Sequence, residues 1–216
     1  MLSAEHLSFH FPDGRGVISD VSVSVAPGEM IAVLGENASG KSTLLKLLAG
    51  MLQPSSGKVT VDGQPLTHAR DRVGLVFQNP DHQMIAPTVE EEIALGLELR
   101  GIPVAEMRPR IDQMLQHFDL SPLRFVSPST LSGGQKQRVA LAAIMVIQPH
   151  FLLFDEPDSL LDAPSRADLL NAVAVVRESC GIIWTSPHPK RIPAVDRVFE
   201  LTQGTLRARE AMPARA

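Results

Sequence analysis

The chain has 216 residues, with 20 Lys or Arg against 24 Asp or Glu, so its formal net charge is −4. At 44% hydrophobic and 20% charged residues it has a globular composition, which excludes a disordered chain, and the weak negative charge gives no bulk attraction to nucleic acid. The single cysteine, Cys180, cannot form an internal disulfide and favours a reducing compartment. The longest apolar run, Val139 to Ile147, is far shorter than the roughly 20 residues of a membrane span, and the first residues show no signal-peptide pattern. We therefore expect a cytoplasmic protein that reaches a membrane only through a partner.

Strands are predicted at the start of the chain. Apolar and polar residues alternate over residues 5–25, on both sides of a turn at residues 12–14, which predicts an antiparallel hairpin or meander. The apolar run Met30–Leu34 is typical of a strand buried on both faces of a parallel sheet. After it we expect a glycine-containing loop, a helix over residues 42–51, and strands at 59–61 and 73–77.

Residues from about 79 to 148 have the character of an inserted α-helical subdomain. Thr88 and Glu91 have the spacing of a capping box at a helix start. A helical stripe of apolar residues from Met107 to Phe118 predicts a second helix, and Gly133 begins a third that runs to Gln148.

Strand character returns after this insertion. Strands are predicted at residues 151–154 and 181–184, with an Ala/Leu/Val-rich helix between them, and residues 198–201 are predicted as the last strand. The tail, residues 207–216, has nothing to bury and is expected to fray. The whole chain, 1–216, is thus predicted to be one α/β domain: a mixed sheet core with an N-terminal antiparallel β subdomain and an inserted helical subdomain.

The loop after the Met30–Leu34 strand carries a phosphate-binding pattern. Residues 35–43 read GENASGKST, which fits G-x-x-x-x-G-K-[ST]. Its glycines let backbone N–H groups converge on phosphate oxygens, and the helix N-terminus adds a positive dipole. Lys41 is expected to reach the β- and γ-phosphates, and the Ser42 hydroxyl is expected to bind Mg²⁺. The alternative is a glycine-rich turn with a chance lysine. The strand–loop–helix context favours a nucleotide site formed by Gly35, Asn37, Ala38, Ser39, Gly40, Lys41, Ser42 and Thr43.

A second apolar strand ends in two adjacent carboxylates. Residues 151–157 read FLLFDEP, so Asp155 and Glu156 directly follow the strand. An Asp here is the expected partner of Mg²⁺, and a Glu beside it can orient or deprotonate the water that attacks the γ-phosphate. Alone, this pattern would more often be a turn with exposed acids. Downstream of a phosphate loop, the catalytic interpretation is favoured.

A third motif identifies a family. Residues 131–138 read LSGGQKQR, which on its own indicates a capped helix with a flexible start. Following the other motifs, LSGGQ resembles the signature of ATP-binding cassette ATPases, and the DEP strand resembles their Walker B motif. The resemblance covers about residues 2–206 and implies a P-loop NTPase (RecA-like) core that binds ATP and Mg²⁺ and hydrolyses ATP. It also implies nucleotide contacts from the signature residues Ser132, Gly133, Gly134 and Gln135.

The same resemblance gives four further residues a role. Phe11 is similar to the aromatic that stacks on adenine, although it would also suit an ordinary hairpin core. Gln78 resembles the glutamine that senses Mg²⁺ and the attacking water; the alternative is a solvent-facing glutamine at a strand end. Asp162 resembles the aspartate that crosses the dimer interface. His188 resembles the switch histidine that contacts the γ-phosphate, with an unrelated surface histidine as the alternative.

The chain departs from the family pattern at several positions. Ala38 replaces a usual glycine of the phosphate loop, and Leu160 fills a position that is usually small. Pro187 and Pro189 flank His188 where Thr and Asp are usual, and they fix the backbone angles on both sides of the histidine. Asp158 adds a carboxylate that the sequence does not explain.

The segment after the predicted strand at 73–77 indicates a branch of the family. Residues 78–92 read QNPDHQMIAPTVEEE and are similar to the corresponding segment of energy-coupling-factor ATPases, which drive uptake of vitamins, cobalt or nickel. In that family the region lies against coupling helices of a membrane protein, whereas the residues alone predict only a loop and a capped helix. Because the chain stops soon after its last predicted strand, it resembles the shorter members, among them the biotin-transporter ATPase.

This resemblance implies partners and a mechanism. Two ATPase subunits, identical or related, would close on ATP so that the phosphate loop of one meets the signature of the other. They would be held at the cytoplasmic face of the membrane by a transmembrane coupling protein and a substrate-binding membrane protein, with no nucleic acid involved. Two alternatives stay open: a cytosolic assembly ATPase shares every motif, and a small-molecule P-loop kinase would have no use for LSGGQ. The sequence names neither the solute nor the pairing.

Overall fold

The computed structural model describes residues 1–209, which divide into two compact units. The first unit contains residues 1–75, 150–156 and 177–209, and the second contains 76–149 and 157–176. Within the described residues, none of the helices has both the length and the apolar character needed to span a membrane.

The first unit begins with an antiparallel sheet. Its strands are β1 (Leu2–His10), β2 (Gly16–Val25), β4 (Ser56–Val61) and β5 (Gln64–Pro65), in the order β2-β1-β4-β5. Alternation buries one face, with Leu7 and Val25 fully enclosed. The predicted N-terminal hairpin is confirmed as the pairing of β1 with β2.

The first unit also holds a six-stranded mixed sheet, except for the last residue of β6, in the order β10-β9-β3-β8-β7-β6. β3 pairs in parallel with β8 and β9, β7 pairs in parallel with β8, and β10 is antiparallel to β9. Every residue of β3 and β7 is buried, which accounts for their unbroken apolar sequences. The bounds are β3 (Met30–Leu34), β6 (Val73–Val76), β7 (Phe151–Phe154), β8 (Gly181–Ser186), β9 (Arg197–Thr202) and β10 (Thr205–Arg209).

Helix α1 (Lys41–Leu48) follows β3 and is shorter than the predicted 42–51. Ala49 is its C-cap, and Gly50 leaves the helix with φ +71°, a left-handed conformation that favours glycine. The predicted strand–loop–helix unit is therefore present, with an earlier helix end.

The strand predicted at residues 198–201 corresponds to β9, and a further strand, β10, follows it. Gln203 and Gly204 both have positive φ, as a two-residue hairpin turn requires, and Leu206 packs against the core. Residues 207–209, assigned from the sequence to a frayed tail, are thus paired in a strand. They carry arginines because β10 lies at the sheet edge, where charged side chains are favoured. Residues 210–216 of that predicted tail lie outside the described residues.

The second unit is helical. It contains α2 (Val89–Glu98), α3 (Val104–His117), α4 (Gly133–Met145) and all but the last residue of α5 (Ala163–Arg177). The sequence placed α5 only between two core strands, and the structure groups it with the other helices. α4 ends before the predicted Gln148, which has φ +53° and precedes a proline that disfavours helical backbone.

Candidate nucleotide-binding site

The phosphate loop runs from the end of β3 to the start of α1. Ala38 has φ +64° and Gly40 has φ +105°, so both lie in the left-handed region. Glycine adopts this conformation freely, whereas a side chain at such a position costs about 1–2 kcal/mol. The strain at Ala38 gives a physical reason why glycine is usual there.

Lys41, at the first position of α1, is held inside the loop. Its side chain is 3% exposed, and Nζ donates to the carbonyl oxygens of Gly35 (2.7 Å) and Glu36 (2.8 Å). Nζ also lies 3.1 Å from Oε1 of Glu156. The structure therefore brings the predicted phosphate-binding cation together with the predicted catalytic carboxylate.

Asp155, directly after β7, meets the second residue of α1. Ser42 Oγ donates to Asp155 Oδ1 at 3.0 Å, so these two of the three predicted Mg²⁺ residues are neighbours; the third, Gln78, belongs to the second unit. Burial raises the pKa of the Asp155 carboxyl, while hydrogen bonds from Ser42 and Thr185 oppose that rise.

Thr185 in β8 contacts both carboxylate residues of the site and was not predicted from the sequence. Its hydroxyl is fully buried and accepts the backbone N–H of Glu156 at 3.0 Å. It lies 3.1 Å from the carbonyl oxygen of Phe154 and 3.3 Å from Asp155 Oδ1, and it can donate to either. The available signal was a polar Thr-Ser pair at the end of an otherwise apolar strand.

The other two predicted site residues of the first unit, Phe11 and His188, contact neighbouring residues. Phe11 is half-buried, packs edge-on against Phe9 and has the Arg15 guanidinium 5.1 Å from its ring centroid. His188 is exposed, and its backbone N–H and C=O both bond to the buried Ser186 hydroxyl at 3.1 Å. The adenine-stacking and switch roles stay predictions.

The signature residues lie in the second unit. Ser132 is the N-cap of α4: its Oγ accepts the N–H of Gln135, whose side chain accepts the N–H of Ser132. Ser132 and Gly133 are exposed. A Cβ at Gly134 would lie 2.6 Å from Ser165 Oγ, so close packing against α5 requires glycine there.

The other candidates of the second unit surround the start of α5. Gln78 is exposed, and its Nε2 donates to Ser159 Oγ at 3.3 Å. Asp162 accepts the N–H of Ser165 at 2.9 Å. Hydrogen bonding from the Ser165 side chain, together with this backbone bond, lowers the pKa of the exposed Asp162 carboxyl. Their roles toward a nucleotide stay predictions.

The structure shows the surroundings of two residues that depart from the family pattern, Asp158 and Leu160. Asp158 is buried and forms an ion pair with Arg166 at 2.7 Å, so it fastens the segment before α5 to that helix. Leu160 is 64% exposed, an apolar side chain in the segment that the family resemblance places at a dimer interface.

The site combines a phosphate loop with two carboxylates: Asp155 contacts the loop serine, and Glu156 contacts the loop lysine. This is the arrangement of P-loop nucleotide-hydrolysing proteins. The model of the ABC transporter family matches residues 18–159, well over half of the chain, and the chain belongs to that family. It binds ATP and is an ATPase of the ABC type.

The similar proteins indicate which branch of the ABC transporter family the chain resembles. The chain is 38% identical to the energy-coupling factor transporter ATP-binding protein EcfA1 of Streptococcus thermophilus, over 94% of this chain and 77% of the relative. It is 40% identical to EcfA1 of Lacticaseibacillus paracasei, over 84% and 68% respectively. The structure of cbiO1 from Clostridium perfringens, described as part of the ABC transporter complex cbiONQ, matches with a TM-score of 0.85. That match is 31% identical and covers 95% of this chain and 86% of cbiO1. The sequence-based identification of an energy-coupling-factor type ATPase and its P-loop fold is confirmed.

Proposed function

We propose that this chain is the ATP-hydrolysing subunit of an energy-coupling-factor importer, working as one ATPase domain at the cytoplasmic face of a membrane. The solute we propose is a vitamin, with biotin first, or one of the transition-metal ions cobalt and nickel. The observation that carries the proposal is the meeting of Lys41, Ser42, Asp155 and Glu156 at one end of the parallel strands. Similarity to EcfA1 proteins over most of the chain supports the kind of transporter.

The donors fit a magnesium nucleotide. Ser39 Oγ is buried and has no hydrogen-bond partner among the described residues, so the loop retains an unsatisfied polar atom of the kind a phosphate oxygen would pair with. The Ser42 hydroxyl and Asp155 carboxylate are the hard oxygen ligands that Mg²⁺ prefers. When bound, Mg²⁺ would be held by Ser42 and Asp155 and would neutralise negative charge that develops on the phosphates.

Each side chain then has a defined task. Lys41 has three N–H donors and contacts three oxygens, so a phosphate oxygen on Nζ would displace one of them. Displacing Glu156 leaves its carboxylate able to take a proton from the attacking water. Thr185 keeps the Glu156 backbone fixed during that exchange.

We place the second half of each ATP site on another ATPase subunit, identical or related. Ser132 and Gly133 are exposed at a helix N-terminus, where an anion is stabilised by the helix dipole. Leu160 and Asp162, in the segment directly before α5, are also exposed and would lie at the same interface. Gln78 keeps its proposed contact with Mg²⁺ and the attacking water, His188 its contact with the γ-phosphate, and Phe11 its contact with adenine.

The loop before α2 is proposed to contact the transmembrane coupling protein, which in turn binds a substrate-binding membrane protein. The buried carboxylate of Glu92 accepts the N–H groups of Ile85 and Ala86, both at 2.8 Å. This holds the loop backbone in place and leaves the Ile85 side chain 77% exposed. A fixed loop with an exposed apolar tip suits a protein contact.

The proposal is tested with the chain purified together with its membrane partners in lipid vesicles. We expect ATP-driven uptake of biotin, cobalt or nickel, each offered separately with a radioactive label. Glu156→Gln should abolish uptake and ATP hydrolysis while keeping ATP binding, because the amide preserves the shape and loses the base. Glu178→Gln, the same change at an exposed position, is the matched control. Hydrolysis by the wild-type assembly without uptake of any solute would favour an assembly ATPase, and full hydrolysis by Glu156→Gln would refute the catalytic role.

A further inference from the structure

One ion pair joins the start of the signature helix to the segment that carries Gln78. Lys136 directly follows the signature motif, and its Nζ lies 2.6 Å from Oδ1 of Asp81. The Lys136 side chain is 15% exposed, against 58% for that of Asp81. Shielding of the ammonium strengthens its attraction to the carboxylate, while water still screens the exposed carboxylate side of the contact.

The Asp81 side of the pair is locally rigid. Asp81 belongs to a single 3-10 turn, Pro80–His82, and its N–H donates to the side chain of Asn79 at 3.0 Å. Pro80 is buried and fixes its own backbone angle. The position of Asp81 is therefore set by residues that directly follow Gln78.

The Lys136 side is rigid as well. The reciprocal hydrogen bonds between Ser132 and Gln135 define the first turn of α4. Gly134 in the same turn packs tightly against Ser165. The Asp81 carboxylate thus contacts a helix turn whose backbone is already held in one conformation by its own hydrogen bonds and packing.

We propose that Asp81 and Lys136 are positioning residues that hold the signature turn in register with the Gln78 segment. A displacement of that segment would then move Ser132, which touches the nucleotide of the other subunit. This inference rests on the shared ATP site of the proposed function and adds residues that lie outside the motifs themselves. Neither side chain contacts a nucleotide in this role, so each acts only through the turn that it fixes.

The test measures ATP-dependent dimer formation in the Glu156→Gln background, where hydrolysis is blocked. Asp81→Asn and Lys136→Met should each raise the dimer dissociation constant in MgATP about tenfold, as typical couplings between contacting elements do. The affinity of the monomer for MgATP, measured by calorimetry, should stay unchanged because the phosphate loop is untouched. Reversing the pair, with Asp81→Lys and Lys136→Asp together, should restore dimerisation to within about twofold of the parent.

Asp112→Asn is the matched control, since it breaks another carboxylate ion pair of the helical unit, with Arg124 at 2.7 Å. It should leave the dimer constant unchanged. If the parent forms the dimer and each single variant has the same dimer dissociation constant, the positioning role is wrong and the shared site stands. The same conclusion follows if the double variant with the reversed charges dimerises as weakly as the single variants. If the parent itself forms no ATP-dependent dimer, the shared site and this inference both fail.

Discussion

Thr185 supports Glu156 at a point of backbone strain. Glu156 has φ +46°, a left-handed conformation that costs a residue with a side chain on the order of 1–3 kcal/mol. The bond from its N–H to the Thr185 hydroxyl offsets part of that cost and holds the backbone from which the carboxylate reaches Lys41. The strained residue is thus the one assigned to activate water.

Replacing Thr185 with valine should lower both stability and turnover. The valine has nearly the same shape but leaves the buried N–H of Glu156 unpaired, which costs about 1–3 kcal/mol. Thr185→Ser keeps the hydroxyl and should retain most of the turnover. The measurements are the free energy of unfolding in urea and the ATPase kcat. Equal kcat values for the valine and serine variants, with both folded, would show that the hydroxyl does not position Glu156.

At pH 7 the protein should be less stable with the charged Asp155 than with an uncharged side chain of the same shape, such as asparagine. Its pKa in the folded state is raised above the ordinary value of 3.8 by burial, so the folded state holds the proton more tightly than the unfolded state does. The free energy of unfolding therefore falls as pH rises from about 3.8 through the folded-state pKa.

Asp155→Asn should consequently raise the free energy of unfolding at pH 7 by about 0.5–2 kcal/mol, in the absence of nucleotide, while ATP hydrolysis is lost. The gain should shrink as pH falls toward 3.8, because the wild-type carboxyl becomes protonated there. Denaturation curves at several pH values measure this. Asp168→Asn, at an exposed carboxylate, is the control. A gain that does not change with pH would contradict the assignment to Asp155 ionisation.

Among the elements, α2 shows how a local pattern fixes a helix start. Thr88 Oγ1 accepts the N–H of Glu91 and also contacts its carboxylate at 2.7 Å. Thr88→Ala should destabilise the protein by about 1 kcal/mol, whereas Thr88→Ser should cost a few tenths at most. Thermal or urea unfolding of both variants makes the comparison. Equal stability of the alanine and serine variants would mean that the cap bond contributes nothing.

Elements with strong local patterns were predictable from the sequence, and those that depend on long-range pairing were not. The apolar runs of β3 and β7 and the Thr88 cap follow from neighbouring residues alone. β10 has no such pattern, because its arginines fit an edge strand only once β9 is beside it. Of the candidate site, the motif residues could be named from spacing. Thr185 could not, because its contact with Glu156 exists only where β7 and β8 lie side by side.

For the molecule as a whole, the important fact is that the phosphate loop belongs to one compact unit and the signature to the other. The family resemblance places these two halves of a site on different subunits. Lys41→Ala disables the loop half, and Ser132→Arg disables the signature half, since the new side chain would occupy the space that the other subunit's γ-phosphate needs. Each variant alone should be inactive as a homodimer. Ser132→Arg should still bind ATP as a monomer, because its own loop is intact.

Mixing the two inactive variants should restore part of the ATPase activity. In a mixed dimer one shared site combines both defects, while the other combines an intact loop with an intact signature. Random pairing makes about half of the dimers mixed, each with one working site, so we expect about a quarter of the wild-type rate if the sites act independently. The rate is measured after exchange of subunits, with each variant incubated alone as the control. Mixed dimers that are verified by mass and show no activity would mean that one intact site cannot turn over. Full activity of monomeric Ser132→Arg would instead overturn the shared site, because a chain that holds its whole site needs no signature from another subunit.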